Sequence, residues 1–141
     1  MDAISPASIH IYQGFGQTAF YNLQNIDRFF VHQSSKYQSC IDACNDCAES
    51  CELCATSCLR EQDVKMLERC IQLDRDCASV CWTASQLMSR DSEFIKQICN
   101  TCAELCDACA VECEKHQNME HCKLCAQACR KCAEECRNMA S

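Results

Sequence analysis

Between Cys99 and Cys113 the sequence reads CNTCAELCDACAVEC, with thiols at Cys99, Cys102, Cys106, Cys109 and Cys113. Steps of three and four residues keep to one stripe of a helix, so all five thiols share a face. The same alternation runs through Cys122, Cys125, Cys129, Cys132 and Cys136. It also runs through Cys40, Cys44, Cys47, Cys51, Cys54 and Cys58, and in thinner form through Cys70, Cys77 and Cys81. Nineteen cysteines are too many and too regular to be small hydrophobic filler. Neighbours on one helix have Cβ atoms roughly 5–6 Å apart, whereas a disulfide wants roughly 3.5–4.5 Å. The repeat therefore suits a metal held between thiolates better than bonds within a helix. Cross-helix disulfides would remain for a structural protein, but the odd cysteine count disfavours complete pairing.

Among metals, zinc wants four ligands in a tetrahedron. A Cys₄ zinc site keeps a net charge of about −2, and several stacked in a dry interior would be costly to desolvate. Bacterial iron–sulfur ligation spaces its cysteines differently and in short runs. Copper(I) is soft and prefers thiolate, and it is compatible with two or three ligands. If each thiolate bridges two ions, the ratio approaches about one copper per cysteine and each Cu⁺–S⁻ unit is neutral. Multiple Cu(I) ions thus satisfy both the repeat and the electrostatics. A zinc or iron–sulfur protein and a disulfide-stabilised scaffold are the alternatives.

The rest of the composition narrows the class. In 141 residues there are 20 Asp plus Glu against 13 Lys plus Arg, a net charge of −7. No basic patch is available for nucleic acid or an anionic membrane. No apolar run approaches the roughly 20 residues of a membrane span. The N-terminus, MDAISPASIHIYQGFGQ, has neither a basic start nor an unbroken apolar stretch, so a cytoplasmic protein with reduced thiols is expected. There is no Ser/His/Asp arrangement and no phosphate-cradling glycine loop. A saturated row of thiols is not one activated nucleophile, so no enzyme is expected.

Two glycines and one proline, all within residues 1–35, leave the remainder without breakers and point to an all-α chain. Four helices are expected: about Ser35–Leu59, Asp63–Met88, Ser92–Lys115 and Met119–Asn138. Asp91 and Asn118 are the expected N-caps of the last two. Short connections force antiparallel neighbours, giving an up-down-up-down antiparallel four-helix bundle with a cysteine-lined core over residues 36–141. Residues 1–35 lack cysteine. Phe20, Leu23, Ile26, Phe30 and Val31 recur at helical spacing, predicting a short N-terminal helical extension that packs on the bundle or serves an oligomer contact.

This topology gathers Cys58, Asp63, Met66, Cys113, His116, Met119, His121 and Cys122 at one end, and Tyr37, Cys40, Met88, Phe94, Ile95, Cys99, Cys136 and Met139 at the other. The former end is rich in possible ligands, and the latter is expected to be greasy and closed. His116 continues the third cysteine stripe and His121 adjoins Cys122. Each is either a solvated helix-end residue or a metal contact, and Met119 offers a thioether beside them. Asp74 is the one carboxylate in the middle of a seam. It must be paired, with Arg75 or a basic residue of another helix, or act as a ligand or hydrogen-bond partner beside bound metal. Trp82 lies off the seam.

Residues 36–141 resemble the cytosolic copper storage proteins, through CIDACNDCAESCELC, CIQLDRDCASVC, CNTCAELCDACAVEC and HCKLCAQACRKCAEEC. The resemblance implies reversible Cu(I) storage in a cytosolic four-helix bundle, commonly a homotetramer, exchanging copper with donor or acceptor proteins. It does not extend to residues 1–35.

Overall fold

The computed structural model describes the backbone of residues 16–141 and the side chains of residues 36–141. The chain divides into two compact units, residues 1–35 and 36–141. The expectation that residues 1–35 pack on the bundle or serve an oligomer contact lies outside the described residues.

Four α-helices follow in order: α1 (Gly16–Cys58), α2 (Glu68–Ser89), α3 (Ile95–Cys113) and α4 (Glu120–Ala140). Single 3₁₀ turns, Val64–Leu67 and Glu114–His116, sit in the first and third connections. α1 begins at Gly16, where a helix from about Ser35 was expected, and no glycine or proline follows Gly16 to interrupt it. No strand occurs among the described residues, and no described helix is long and apolar enough to cross a membrane.

The cysteine stripes face inward. All nineteen cysteines are buried and none is in a disulfide. Beside them lie buried alanines, including Ala43, Ala48, Ala78, Ala103, Ala110 and Ala133. These small flanking side chains let the helices approach closely enough for sulfurs to meet. Leu67 and Met88 are the largest apolar side chains fully enclosed, and they sit at the two ends of the α2 seam. The outer faces carry exposed ion pairs. Arg130 bridges Glu114 and Asp107, and Arg137 also reaches Asp107. Such exposed pairs contribute little stability individually.

The turn after α2 departs from the expected capping. Asp91 adopts φ 51°. Its N–H donates to the Met88 carbonyl at 3.2 Å, and the Ser92 N–H donates to the Leu87 carbonyl at 3.1 Å. That pair of bonds is a Schellman closure, with Asp91 in the left-handed position usually taken by glycine. Asp91 therefore ends α2 rather than capping α3, and Phe94 precedes α3 without a side-chain cap. Asn118 is likewise displaced as a cap by Met119. The Tyr37 hydroxyl donates to Asp91 Oδ1 at 2.9 Å and ties this turn to α1.

Candidate metal centre

The sulfurs form an antiparallel ladder. Between α1 and α4 the rungs are Cys40–Cys136 at 3.7 Å, Cys44–Cys132 at 3.7 Å, Cys47–Cys129 at 3.6 Å, Cys51–Cys125 at 3.6 Å and Cys54–Cys122 at 3.8 Å. Each forward step in α1 meets the same step backward in α4. Between α2 and α3 the rungs are Cys70–Cys113 at 3.6 Å, Cys77–Cys106 at 3.5 Å and Cys81–Cys102 at 3.5 Å. The two ladders touch through Cys47–Cys77 and Cys47–Cys106, both at 3.9 Å, and through Cys81–Cys132 at 3.8 Å. Along single helices, Cys77–Cys81 and Cys102–Cys106 also close to 3.9 Å.

Groups of four donors form repeatedly along the axis, with every ligand atom of a group within 4.8 Å of the others. Cys44, Cys102, Cys132 and Cys136 make one group, and Cys47, Cys77, Cys81 and Cys106 make another. Cys47 and Cys77 recur in a third with Cys51 and Cys129, and Cys51 and Cys129 recur in a fourth with Cys109 and Cys125. The groups share members. That sharing is the geometry of bridging thiolates rather than of separate closed sites. Cys99, on the α3 stripe, is buried, and Tyr37, Met88 and Ile95 are buried in the same core. Phe94, expected to help close the greasy end, is instead 56% exposed.

Asp74 takes the place of a cysteine in the α2–α3 ladder, between the rungs of Cys70 and Cys77. Its carboxyl oxygen Oδ1 accepts from Cys109 at 3.1 Å, Cys125 at 3.4 Å and Cys113 at 3.6 Å, and Oδ2 accepts from Cys70 at 3.8 Å. Arg75, the expected partner, points outward and holds Glu52 at 2.6 Å. Asp74 is thus fully enclosed among thiols. Burial first, and then the charge of Cys125, push its pKa up from 3.8 to about 8. Burial likewise raises the Cys58 thiol, with Cys70 and Cys122 adding like charge.

At the ligand-rich end His121 meets three sulfurs. Its Nδ1 lies 3.4 Å from Cys122, 3.5 Å from Cys54 and 3.9 Å from Cys58. Its Nε2 lies 3.1 Å from Glu61 Oε1. An ionised carboxylate only accepts, so Nε2 carries the hydrogen and Nδ1 turns its lone pair to the sulfurs. His116 differs. Its Nε2 is buried with no hydrogen-bond partner among the described residues, and Glu112 Oε1 stands 3.7 Å away. Glu112 is itself buried and paired with Lys115 at 2.6 Å. Met119 is partly buried against the core, while Met66 is 67% exposed and Asp63 is exposed. Glu61 and Glu112 were missed from the sequence. The four-residue step from Glu112 to His116 was a usable signal, but the contact of Glu61 is made across the bundle and has no signature in spacing.

A sequence model described as copper storage protein matches residues 33–141. A curated protein of Bacillus subtilis (strain 168), the uncharacterized cysteine-rich protein YhjQ, is 49% identical over 104 residues, covering 74% of this chain and 95% of that protein. The Cu(I)-bound copper storage protein BsCsp3 of Bacillus subtilis superposes with a TM-score of 0.71 at 48% identity, covering 77% of this chain and 99% of the other. A cytosolic copper storage protein from Streptomyces lividans, studied during copper loading with five coppers, gives a TM-score of 0.73 at 37% identity over 77% of this chain and 94% of that one.

Proposed function

The chain belongs to the copper storage protein family, and from that premise we propose that it holds many Cu(I) ions in the cytosol through its core thiolates. The observation that carries the reading is the overlap of the four-donor groups, in which Cys47, Cys51, Cys77 and Cys129 each serve two. A soft ion that accepts two or three sulfurs can use such a lattice throughout. The ligand set is Cys40, Cys44, Cys47, Cys51, Cys54, Cys58, Cys70, Cys77, Cys81, Cys99, Cys102, Cys106, Cys109, Cys113, Cys122, Cys125, Cys129, Cys132 and Cys136. Asp74 stands beside the ions as a hydrogen-bond partner or further ligand. Each thiol gives its proton to solvent as its bond to copper forms, so loading exchanges H⁺ for Cu⁺ and leaves the core neutral.

Copper comes in at the end holding His121, His116 and Met119. Neutral imidazole and thioether donors hold Cu(I) and pass it to deeper thiolates, which bind it more strongly. Tyr37, Met88 and Ile95 bury the other end in apolar surface. Leu53, Val111 and Leu124 are large apolar side chains exposed on three different helices, and they support a homo-oligomer, a tetramer by family resemblance. Residues 1–35 provide packing or an oligomer contact in that assembly. Sedimentation of the full chain and of a chain lacking residues 1–35 tests both points.

The chemistry is tested by counting thiols. Protein purified without reductant and then unfolded should show all nineteen cysteines reactive toward a thiol reagent. Protein loaded with increasing Cu(I) should take up about one copper per cysteine by the point at which no reactive thiol remains, as bridging requires. Few free thiols before any copper is added would identify a disulfide scaffold and refute the proposal.

A further inference from the structure

We infer that the mouth of the bundle is also a Cys₃His site for one divalent zinc-type ion, formed by Cys54, Cys58, Cys122 and His121. The donor set is one of the closed sets that zinc uses. With Zn–S of about 2.3 Å and Zn–N of about 2.0–2.1 Å, a tetrahedron puts sulfurs about 3.8 Å apart and sulfur about 3.5–3.6 Å from nitrogen. Cys54–Cys122 is 3.8 Å and Cys58–Cys122 is 4.0 Å, close to that spacing. His121 Nδ1 stands 3.4 Å from Cys122, 3.5 Å from Cys54 and 3.9 Å from Cys58. All four donor atoms lie within 4.8 Å of one another.

The outer shell is in place as well. Glu61 accepts from Nε2 at 3.1 Å, which fixes the tautomer that leaves Nδ1 free to bind. Binding places the ion at the centre of this group while the three thiols release their protons to solvent.

Charge explains why this site and not the deeper ones. Three thiolates and a neutral imidazole leave a zinc centre with a net charge of about −1, against about −2 for four thiolates. Cys54, Cys58 and Cys122 are as fully enclosed as the cysteines of the deeper groups, so the charge of the centre, costly to desolvate, favours the set that carries the neutral imidazole. At the mouth His121 is 16% exposed and Glu61 39% exposed in their side chains, so water reaches the rim. A divalent ion is therefore confined to the mouth, where it competes with Cu(I) for the first donors that copper meets.

Co(II) is the probe, because tetrahedral thiolate coordination gives it an intense visible spectrum. Reduced, metal-free full-length protein is titrated anaerobically with Co(II) and then with Zn(II), using a non-thiol reductant. The wild type should develop the tetrahedral spectrum up to one Co(II) per chain, and one Zn(II) should abolish it. His121→Ala should lose that spectrum. Glu61→Gln, a change at a partly exposed side chain, should keep the stoichiometry with affinity lowered about 10–100-fold. Circular dichroism checks that both variants fold. No tetrahedral spectrum, an identical titration in His121→Ala, or several equivalents with the same spectrum would overturn the inference. Copper capacity of the same preparation is measured separately, so failure here is distinguishable from failure of the storage reading.

Discussion

Asp74 makes metal-free stability depend on pH in a calculable way. Its carboxyl is enclosed among Cys70, Cys109, Cys113 and Cys125, and burial raises its pKa from 3.8 to about 8. A carboxyl whose folded pKa is raised binds its proton more tightly folded than unfolded. Its contribution is therefore complete below the unfolded pKa and is lost as pH climbs to the folded value. At 1.36 kcal/mol per unit the whole shift is worth about 6 kcal/mol, of which about 4 kcal/mol falls between pH 5 and pH 8.5. Asp74→Asn keeps the shape and removes the titration. Urea unfolding of reduced, metal-free protein, followed by circular dichroism at fixed protein concentration, should show wild-type stability falling relative to Asp74→Asn by about that 4 kcal/mol over the same range. The variant should be the more stable protein at pH 8.5. The thiols titrate in both proteins, so the difference reports Asp74 together with its coupling to Cys125. Equal slopes for the two proteins, or a variant less stable at pH 8.5, would refute the reasoning.

Three further outcomes follow from the same geometry. A His116→Ala/His121→Ala variant should take Cu(I) from a buffered donor more slowly than wild type while reaching almost the same final capacity, and stopped-flow loading curves at one pH check this. Leu67→Ala, at a side chain 1% exposed beside the mouth, should cost about 2–5 kcal/mol in the same urea assay. Metal-free protein should already be helical by circular dichroism, because the alanine and thiol seam and the exposed ion pairs need no ion to form; coil that becomes helix only on loading would instead indicate metal-coupled folding.

The cysteine spacing alone carried most of this architecture. Alternating steps of three and four define a stripe, and four stripes with short connections leave antiparallel pairing as the economical solution. The rung order, with Cys54 opposite Cys122 and Cys40 opposite Cys136, then follows from antiparallel register. What the sequence hid is conformation and distant contact. Asp91 resembled a cap for α3 because aspartate favours N-caps, yet aspartate also tolerates the left-handed conformation that closes α2. Asp74 was visible as an anomaly, but the neighbouring Arg75 suggested a pair that helix geometry prevents, since successive residues point different ways. Glu61 reaches His121 only because the turn after α1 folds over the start of α4. The continuity of α1 past Ser35 was readable from the missing breakers, but the change in composition at that point suggested a boundary.

The central claim is that shared thiolates let the core fill continuously. Reduced, metal-free protein titrated with Cu(I) against a chromophoric chelator, with protein and bound metal counted in the same sample, tests it directly. Bridging predicts saturation at about one copper per cysteine, in a chain with nineteen cysteines. Saturation at about four or five metals, the capacity of separate four-thiolate sites, would contradict it.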